Sequence, residues 1–175
     1  AWPIPEEWEI SCLCLESPTM FQKDGYFYYL AAQGGTAGPA TSHMVVVARA
    51  ESPTGPFEYS PYNPLVHTYS ASERWWSTGH GTILDDAEGN WWCVFHGYDK
   101  GYHTLGRSTL LQPVTWTEDG WPVLKEGSNV SQPMEKIGST QQIRPLTVSD
   151  DFSEEELKMQ WQFHGDYDRD RYAIE

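Results

Sequence analysis

The sequence is poor in positive charge and in long apolar runs. Its 175 residues hold 11 Lys and Arg against 25 Asp and Glu, which gives a formal net charge of −14. Nucleic acids and anionic membrane surfaces need a basic face, so the composition argues against both as partners. The longest apolar cluster, Met44–Ala48, is far shorter than a membrane span. The opening Ala-Trp-Pro-Ile-Pro carries no signal-peptide pattern and is typical of a point inside a longer polypeptide.

Cysteine is also scarce. The chain has only Cys12, Cys14 and Cys93, and an odd number is a poor basis for a disulfide framework. Cys12 and Cys14 alternate within an apolar strand pattern, which favours small buried side chains on one strand face. A Cys-x-Cys pair with no further ligands at suitable spacing is a weak metal signal.

A sustained helical period is missing as well. Short runs rich in aromatic and β-branched residues are separated by Gly, Pro, Asn and Asp, a pattern typical of strands. Aromatic residues make up 14% of the chain, which suits a β-rich core or, alternatively, stacking against sugar rings. Residues 16–60 and 79–124 each hold about four such strands, which predicts two tandem propeller blades. Two blades cannot close a ring, so we expect further sequence before residue 1.

A carboxyl group stands where the first strand pattern begins. Glu16 precedes Ser17 and Pro18, and taken alone such a glutamate is most simply a solvated surface residue. If it points toward a ring axis, however, its apolar neighbours would partly desolvate it. Desolvation would keep a proton on the carboxyl near neutral pH, as an acid that protonates a leaving oxygen requires.

An imidazole and a guanidinium occupy the second repeat. His80 lies between Gly79 and Gly81, which let the backbone approach another group closely; the alternative is a hydrogen-bonded core histidine. Arg107 follows Gly106 within a strand pattern. A buried arginine is costly unless paired, so it either forms an ion pair with a carboxylate or donates into a pocket.

The order and approximate spacing of these motifs resemble the second half of a glycoside hydrolase family 43 catalytic domain. The matching blocks are Glu-Ser-Pro at 16–18, Gly-His-Gly at 79–81, Leu-Gly-Arg-Ser-Thr at 105–109 and Leu-Gln-Pro-Val at 111–114. Ser17 departs from the Gly of the family's Glu-Gly-Pro motif, and Ser108 departs from a Glu. The resemblance covers residues 10–124 and returns at 146–175.

This resemblance implies an all-β fold in three parts. Residues 1–125 would form about two blades of an incomplete five-bladed β-propeller, and residues 126–145 would form a linker. Residues 146–175 resemble the start of the β-sandwich that follows the propeller in many relatives. The resemblance also implies a secreted or periplasmic protein, with the cytoplasm as the alternative.

The resemblance further implies an inverting glycosidase that cleaves β-xylosidic or α-L-arabinofuranosidic bonds in plant polysaccharides or their oligosaccharides. Inversion requires an acid and a base carboxylate about 6.5–9.5 Å apart with a water between them. Glu16 matches the general acid. The base is an Asp of the family's earlier blades, so we expect those N-terminal blades, in this polypeptide or another chain, as a partner. Without them the chain should be inactive. A non-catalytic carbohydrate-binding propeller is the alternative.

The remaining candidates concern substrate and metal. In the family, the histidine of the Gly-His motif lies near the ring axis and touches a calcium ion or its water shell. The resemblance therefore makes His80 a candidate for calcium, directly or through water, and for substrate; no organic cofactor is expected. Arg107 is predicted to bind substrate. His43, Trp76 and His103 are candidates at the pocket mouth, with core or surface positions as the alternative.

The segment that leads to Arg107 is predicted to be a loop. It carries His96 and Tyr102 as well as His103, which would place all three side chains near the same opening.

Overall fold

The computed structural model of the chain describes residues 7–9, 12, 14–36, 41–125, 130–132, 134, 150–154, 156–157 and 161. Its contacts divide the chain into two compact units, Ala1–Met134 and Glu135–Glu175. In the second unit, the indole N–H of Trp161 donates to the Asp150 carboxylate at 2.7 Å. The predicted linker and sandwich start lie largely outside the described residues and stay predictions. In the described part of the chain, no helix has the length and apolar character needed to cross a membrane.

The described part of the first unit consists of nine strands and one short 3-10 turn at His103–Leu105. The strands are β1 (Leu15–Lys23), β2 (Tyr26–Gln33), β3 (Met44–Ala50), β4 (Glu58–Tyr59), β5 (Val66–His67), β6 (Trp75–Asp85), β7 (Trp91–Asp99), β8 (Arg107–Trp116) and β9 (Pro122–Leu124). They form two antiparallel sheets. The first has the order β1-β2-β3-β4, with β5 also paired to β3, and the second has the order β6-β7-β8-β9. The predicted all-β fold is confirmed, whereas the count of five blades stays a prediction.

Tight turns fix the pairing of neighbouring strands. Asp24 and Gly25 join β1 to β2 with φ values of 49° and 86°, the left-handed conformation that a two-residue hairpin turn requires. The turn between β6 and β7 is organised by Asp86, whose carboxylate accepts hydrogen bonds from the Trp92 indole and the Asn90 side chain. These bonds, the indole first, lower the pKa of Asp86 to about 2.

The larger of two apolar core clusters in the described chain joins the two sheets. The first sheet contributes side chains such as Tyr28, Leu30 and Val47, and the second contributes Phe95 and Leu110. A fully buried aliphatic side chain of this kind stabilises the fold by about 1.5–3 kcal/mol. Several aromatic side chains lie in or against this core, which holds the sheets in a fixed relation and so positions the residues discussed below.

The cysteines differ from the sequence-based expectation. Cys12 and Cys14 form a disulfide instead of lying separately as small buried thiols. Their Cα atoms lie 5.5 Å apart, within the range that a disulfide spans. Cys93 is free and buried, and its burial raises the pKa of the thiol to about 12.

Candidate functional site

Two irregularities of the backbone change the directions of the Glu16 and His80 side chains. The register of β1 shifts between Glu16 and Thr19, where Ser17 has a φ of 53°. The register of β6 shifts on both sides of Gly79, and His80, with a φ of 52°, lies within the second shift. Bulges re-aim side chains, and positive φ values at non-glycine residues persist where the surrounding structure enforces them. Both side chains consequently leave the regular alternation of their strands.

The redirected side chains of Glu16 and His80 face each other. Glu16 Oε1 lies 3.7 Å from His80 Nδ1, with the two side chains 52% and 40% exposed. At that exposure an ion pair stabilises the fold very little. The Glu16 side chain is thus about half exposed, and its neighbour Leu15 is exposed as well, so the sequence-based expectation of partial desolvation stays a prediction.

Three imidazoles converge beside this carboxyl. One ligand-capable atom from each of His43, His80 and His96 lies within 4.8 Å of the others. The rings of His43 and His96 stack with centroids 5.2 Å apart, and those of His80 and His96 are 5.4 Å apart. We call these three residues the histidine cluster.

His43 is held in one orientation and one tautomer. It is fully buried, and its Nδ1–H donates to the Gly34 carbonyl oxygen at 2.7 Å, so Nε2 carries the lone pair. Within the described residues, Nε2 is buried without a hydrogen-bond partner. Gly79 makes room for the ring, because a Cβ there would lie 2.3 Å from His43 Cδ2.

Burial keeps the inner part of the histidine cluster neutral. It is the main cause that lowers the pKa of His43, with a further contribution from His80. Burial, followed by the proximity of His43 and Arg107, lowers the pKa of His96 to about 4. Both imidazoles are therefore uncharged at neutral pH and offer lone pairs rather than positive charge.

Arg107 reaches the same cluster from β8. Its Nη1 donates to Thr36 Oγ1 at 3.3 Å and to His96 Nε2 at 3.4 Å. Tyr98, opposite Arg107 in the register, donates from its hydroxyl to the Thr36 carbonyl at 2.9 Å. Arg107 is exposed, and no carboxylate of the described residues forms an ion pair with it. The guanidinium thus keeps donors available to a ligand.

His96 corrects the predicted loop. It lies within β7, opposite Gly79 on β6 and Thr109 on β8. The strand continues because pairing with β8 extends as far as Tyr98 and Arg107. Of the two histidines in that segment, only His103 falls in the turn that follows, and Tyr102 immediately precedes it.

Trp76 and His103 form an aromatic pair. Their rings stack with centroids 6.2 Å apart and 14° between the planes. Trp76 lies opposite Tyr98, which itself lies opposite Arg107, so these residues share one row of the second sheet. The structure therefore gathers Glu16, His43, His80 and Arg107 around His96 and places the aromatic pair in the row of Arg107. The roles predicted for them remain predictions.

Comparisons with known proteins bear on this arrangement. The family described as Glycosyl hydrolases family 43 matches residues 2–122. A non-reducing end α-L-arabinofuranosidase of Bacteroides ovatus is 33% identical over 153 residues, which cover 85% of this chain and 28% of that protein. A xylosidase/arabinosidase of Butyrivibrio fibrisolvens is 38% identical over 116 residues, which cover 64% and 22%.

A solved structure shows the same likeness in three dimensions. The xylan β-1,4-xylosidase of Bacillus halodurans C-125 superposes with a TM-score of 0.66 at 34% identity, over 84% of this chain and 29% of that one. The chain thus spans less than a third of the length of each of these three relatives.

Proposed function

The chain belongs to glycosyl hydrolase family 43, and we propose that it forms part of a glycosidase acting on β-xylosidic or α-L-arabinofuranosidic bonds with inversion. The names of its relatives, xylosidases and arabinofuranosidases, support this substrate class. A secreted or periplasmic location belongs to the same proposal, since plant polysaccharides are too large to enter a cell.

Glu16 is the proposed general acid. The observation that carries the proposal is the approach of its carboxyl, redirected by the bulge in β1, to His80 at 3.7 Å. That separation is longer than a hydrogen bond, so the carboxyl oxygen is free to donate its proton to the leaving oxygen of a bound sugar. The half-exposed side chain would become desolvated when substrate fills the space above it.

Arg107 is the proposed sugar-binding cation. Thr36 and His96 engage only its Nη1, and a guanidinium has five N–H donors in a fixed fork. The remaining donors can bind sugar hydroxyls with charge-assisted hydrogen bonds. We assign Trp76 and His103 to an aromatic wall of the same opening, where a flat ring can stack on a sugar face.

The general base is assigned to no residue of this chain. Inversion requires a second carboxylate about 6.5–9.5 Å from the acid, with a water held between them. In the proposal this group is an Asp of N-terminal blades, which would complete the ring either in the same polypeptide or as a partner chain.

Calcium fits the donors at His80 poorly. Calcium prefers six to eight oxygen ligands, whereas the described groups nearest His80 are imidazole nitrogens and the single Glu16 carboxylate. We therefore assign calcium no catalytic step. Its contact with His80, direct or through water, stays a prediction that the metal titration below also examines.

Replacing the proposed acid tests the function. In the complete protein, Glu16→Gln should lower the turnover of unactivated xylo- or arabino-oligosaccharides by about 100-fold or more, the usual scale of acid catalysis. Glu88→Gln is the matched control, because Glu88 lies on the exposed turn between β6 and β7 and should leave turnover unchanged. A Glu16→Gln protein with near-normal turnover would end the assignment.

A carbohydrate-binding propeller without catalysis is the second candidate. The 52% exposure of the Glu16 side chain favours it, because binding alone requires no desolvated acid. Calorimetry would separate the two. The binding candidate predicts oligosaccharide affinity that depends on Arg107 and hydrolysis that is absent even at high protein concentration.

A further inference from the structure

The histidine cluster offers a set of nitrogen ligands. His43, His80 and His96 come from three different strands or strand ends and bring one nitrogen each to within 4.8 Å of the others. Imidazole nitrogen suits Zn²⁺, Cu²⁺, Ni²⁺ and Co²⁺, whereas Ca²⁺ selects oxygen. The chemistry of the donor atoms therefore points to a different class of cation from the one that the family resemblance implies.

His43 is already arranged as a metal ligand. Metal-binding histidines usually donate their second ring nitrogen to a carbonyl or carboxylate, which fixes the tautomer and the direction of the free lone pair. The Nδ1–H of His43 makes that bond to the Gly34 carbonyl. Its Nε2 is buried and has no hydrogen-bond partner among the described residues, a costly state that a bound ion would relieve.

His80 adds a second imidazole beside a carboxylate. Glu16 Oε1 lies 3.7 Å from its Nδ1, which is longer than a hydrogen bond, so this contact does not fix the tautomer of His80. His80 is 40% exposed, so an ion can enter from the solvent side. His96 completes the set. Its Nδ1 is buried without a partner in the described chain, and its Nε2 accepts only the long bond from Arg107.

The geometry needs a modest contraction. Tetrahedral ligation at about 2.0–2.1 Å places ligand nitrogens roughly 3.4 Å apart. Since the present separations are at most 4.8 Å, the nitrogens would close by no more than roughly 1.4 Å. Side-chain rotation of His80 and His96, which are less buried than His43, can supply this movement.

Two charged side chains lie near an ion at this position. Glu16 beside His80 would attract it, and Arg107 beside His96 would repel it. We propose that His43, His80 and His96 form a binding site for one divalent transition-metal ion of the zinc type, with the fourth position left to water. The site does not depend on the proposed function.

Titration of the complete protein with Zn²⁺ tests the site. After treatment with a chelator, calorimetry with ZnCl₂ should show one bound ion. His96→Gln and His80→Gln should each lower the affinity for this ion by at least about tenfold, the smallest loss expected even for an outer-shell partner. His103→Gln, a histidine outside the cluster, should retain the ion. Co²⁺ at the site should show the intense visible absorption of tetrahedral cobalt.

Three results would overturn the proposal. These are Zn²⁺ affinity that both cluster variants leave unchanged, Ca²⁺ that displaces Zn²⁺ at equal concentration, and a weak octahedral Co²⁺ spectrum. Circular dichroism of each variant verifies that it is folded. The readouts do not involve hydrolysis. A protein that binds Zn²⁺ at the cluster but cleaves no oligosaccharide would support the site and refute the proposed function. An active protein without Zn²⁺ affinity would support the proposed function and refute the site.

Discussion

The contact between Gly79 and His43 makes the histidine cluster dependent on a residue with no side chain. In Gly79→Ala, the new methyl group would lie 2.3 Å from His43 Cδ2 and 2.8 Å from Cγ, below the 3.0 Å that real Cβ atoms respect. The imidazole cannot easily yield, because Gly34 holds its Nδ1 and the His96 ring stacks on its face. We expect overpacking to cost about 1–3 kcal/mol, or roughly 5- to 150-fold in the folding equilibrium.

A double-mutant cycle isolates this clash. Denaturant unfolding of the complete protein would be measured for Gly79→Ala, for His43→Ala and for the double variant. With the imidazole removed, the methyl group has room, so Gly79→Ala should cost at least about 1 kcal/mol less in the His43→Ala background. An equal cost in both backgrounds would refute the reasoning, and so would a cost below about 0.5 kcal/mol in the wild-type background.

Gly34→Ala should be more destabilising than its control Gly89→Ala. The φ values are positive at both glycines, 77° at Gly34 and 84° at Gly89, so each substitution costs about 1–2 kcal/mol of left-handed strain. Only at position 34 would the new Cβ also lie 2.2 Å from a carbonyl oxygen. Equal losses in thermal unfolding would contradict that contact. Ser17→Gly should stabilise the protein by up to about 1 kcal/mol, because φ at this position is 53°, and a lower midpoint of denaturation would oppose this. The pKa of Asp86 is lowered from 3.8 to about 2, first by the hydrogen bond from the Trp92 indole. The contribution of this carboxylate to the stability of the fold is therefore present above about pH 4 and is lost as the pH falls through 2. The stability advantage of wild type over Asp86→Ala should therefore shrink between pH 4 and pH 2, and an advantage that stays constant across this range would exclude the mechanism.

The strands could be predicted because their signals are local. Alternation of apolar and polar residues has a period of two, and the Asp24-Gly25 pair requires left-handed backbone at the turn, so both are visible in a short window. His96 shows the limit of such signals. It was predicted to lie in the loop that leads to Arg107, yet cross-strand pairing of its neighbour Gly97 with Ser108 keeps the segment extended. The alternation of Val94, His96 and Tyr98 on one face was the available sign of a strand.

The site could be predicted only in outline. Glu16, His80 and Arg107 stood out through their motifs, but the proximity of His43 to His96 comes from the packing of one sheet on the other. The same holds for the loop at residues 33–36. Nothing in its local sequence indicates that Gly34 fixes the tautomer of His43. The register shifts were equally invisible, because positive φ at His80 is enforced by tertiary contacts against its own preference.

The dependence of hydrolysis on the leaving group tests the assignment of Glu16 most directly. The complete wild-type protein and Glu16→Gln would be compared on an oligosaccharide and on the matching dinitrophenyl glycoside, whose leaving group departs without protonation. The acid role predicts a loss of about 100-fold or more on the oligosaccharide and a loss below about tenfold on the dinitrophenyl glycoside. Equal losses on both substrates, or no loss on either, would contradict it.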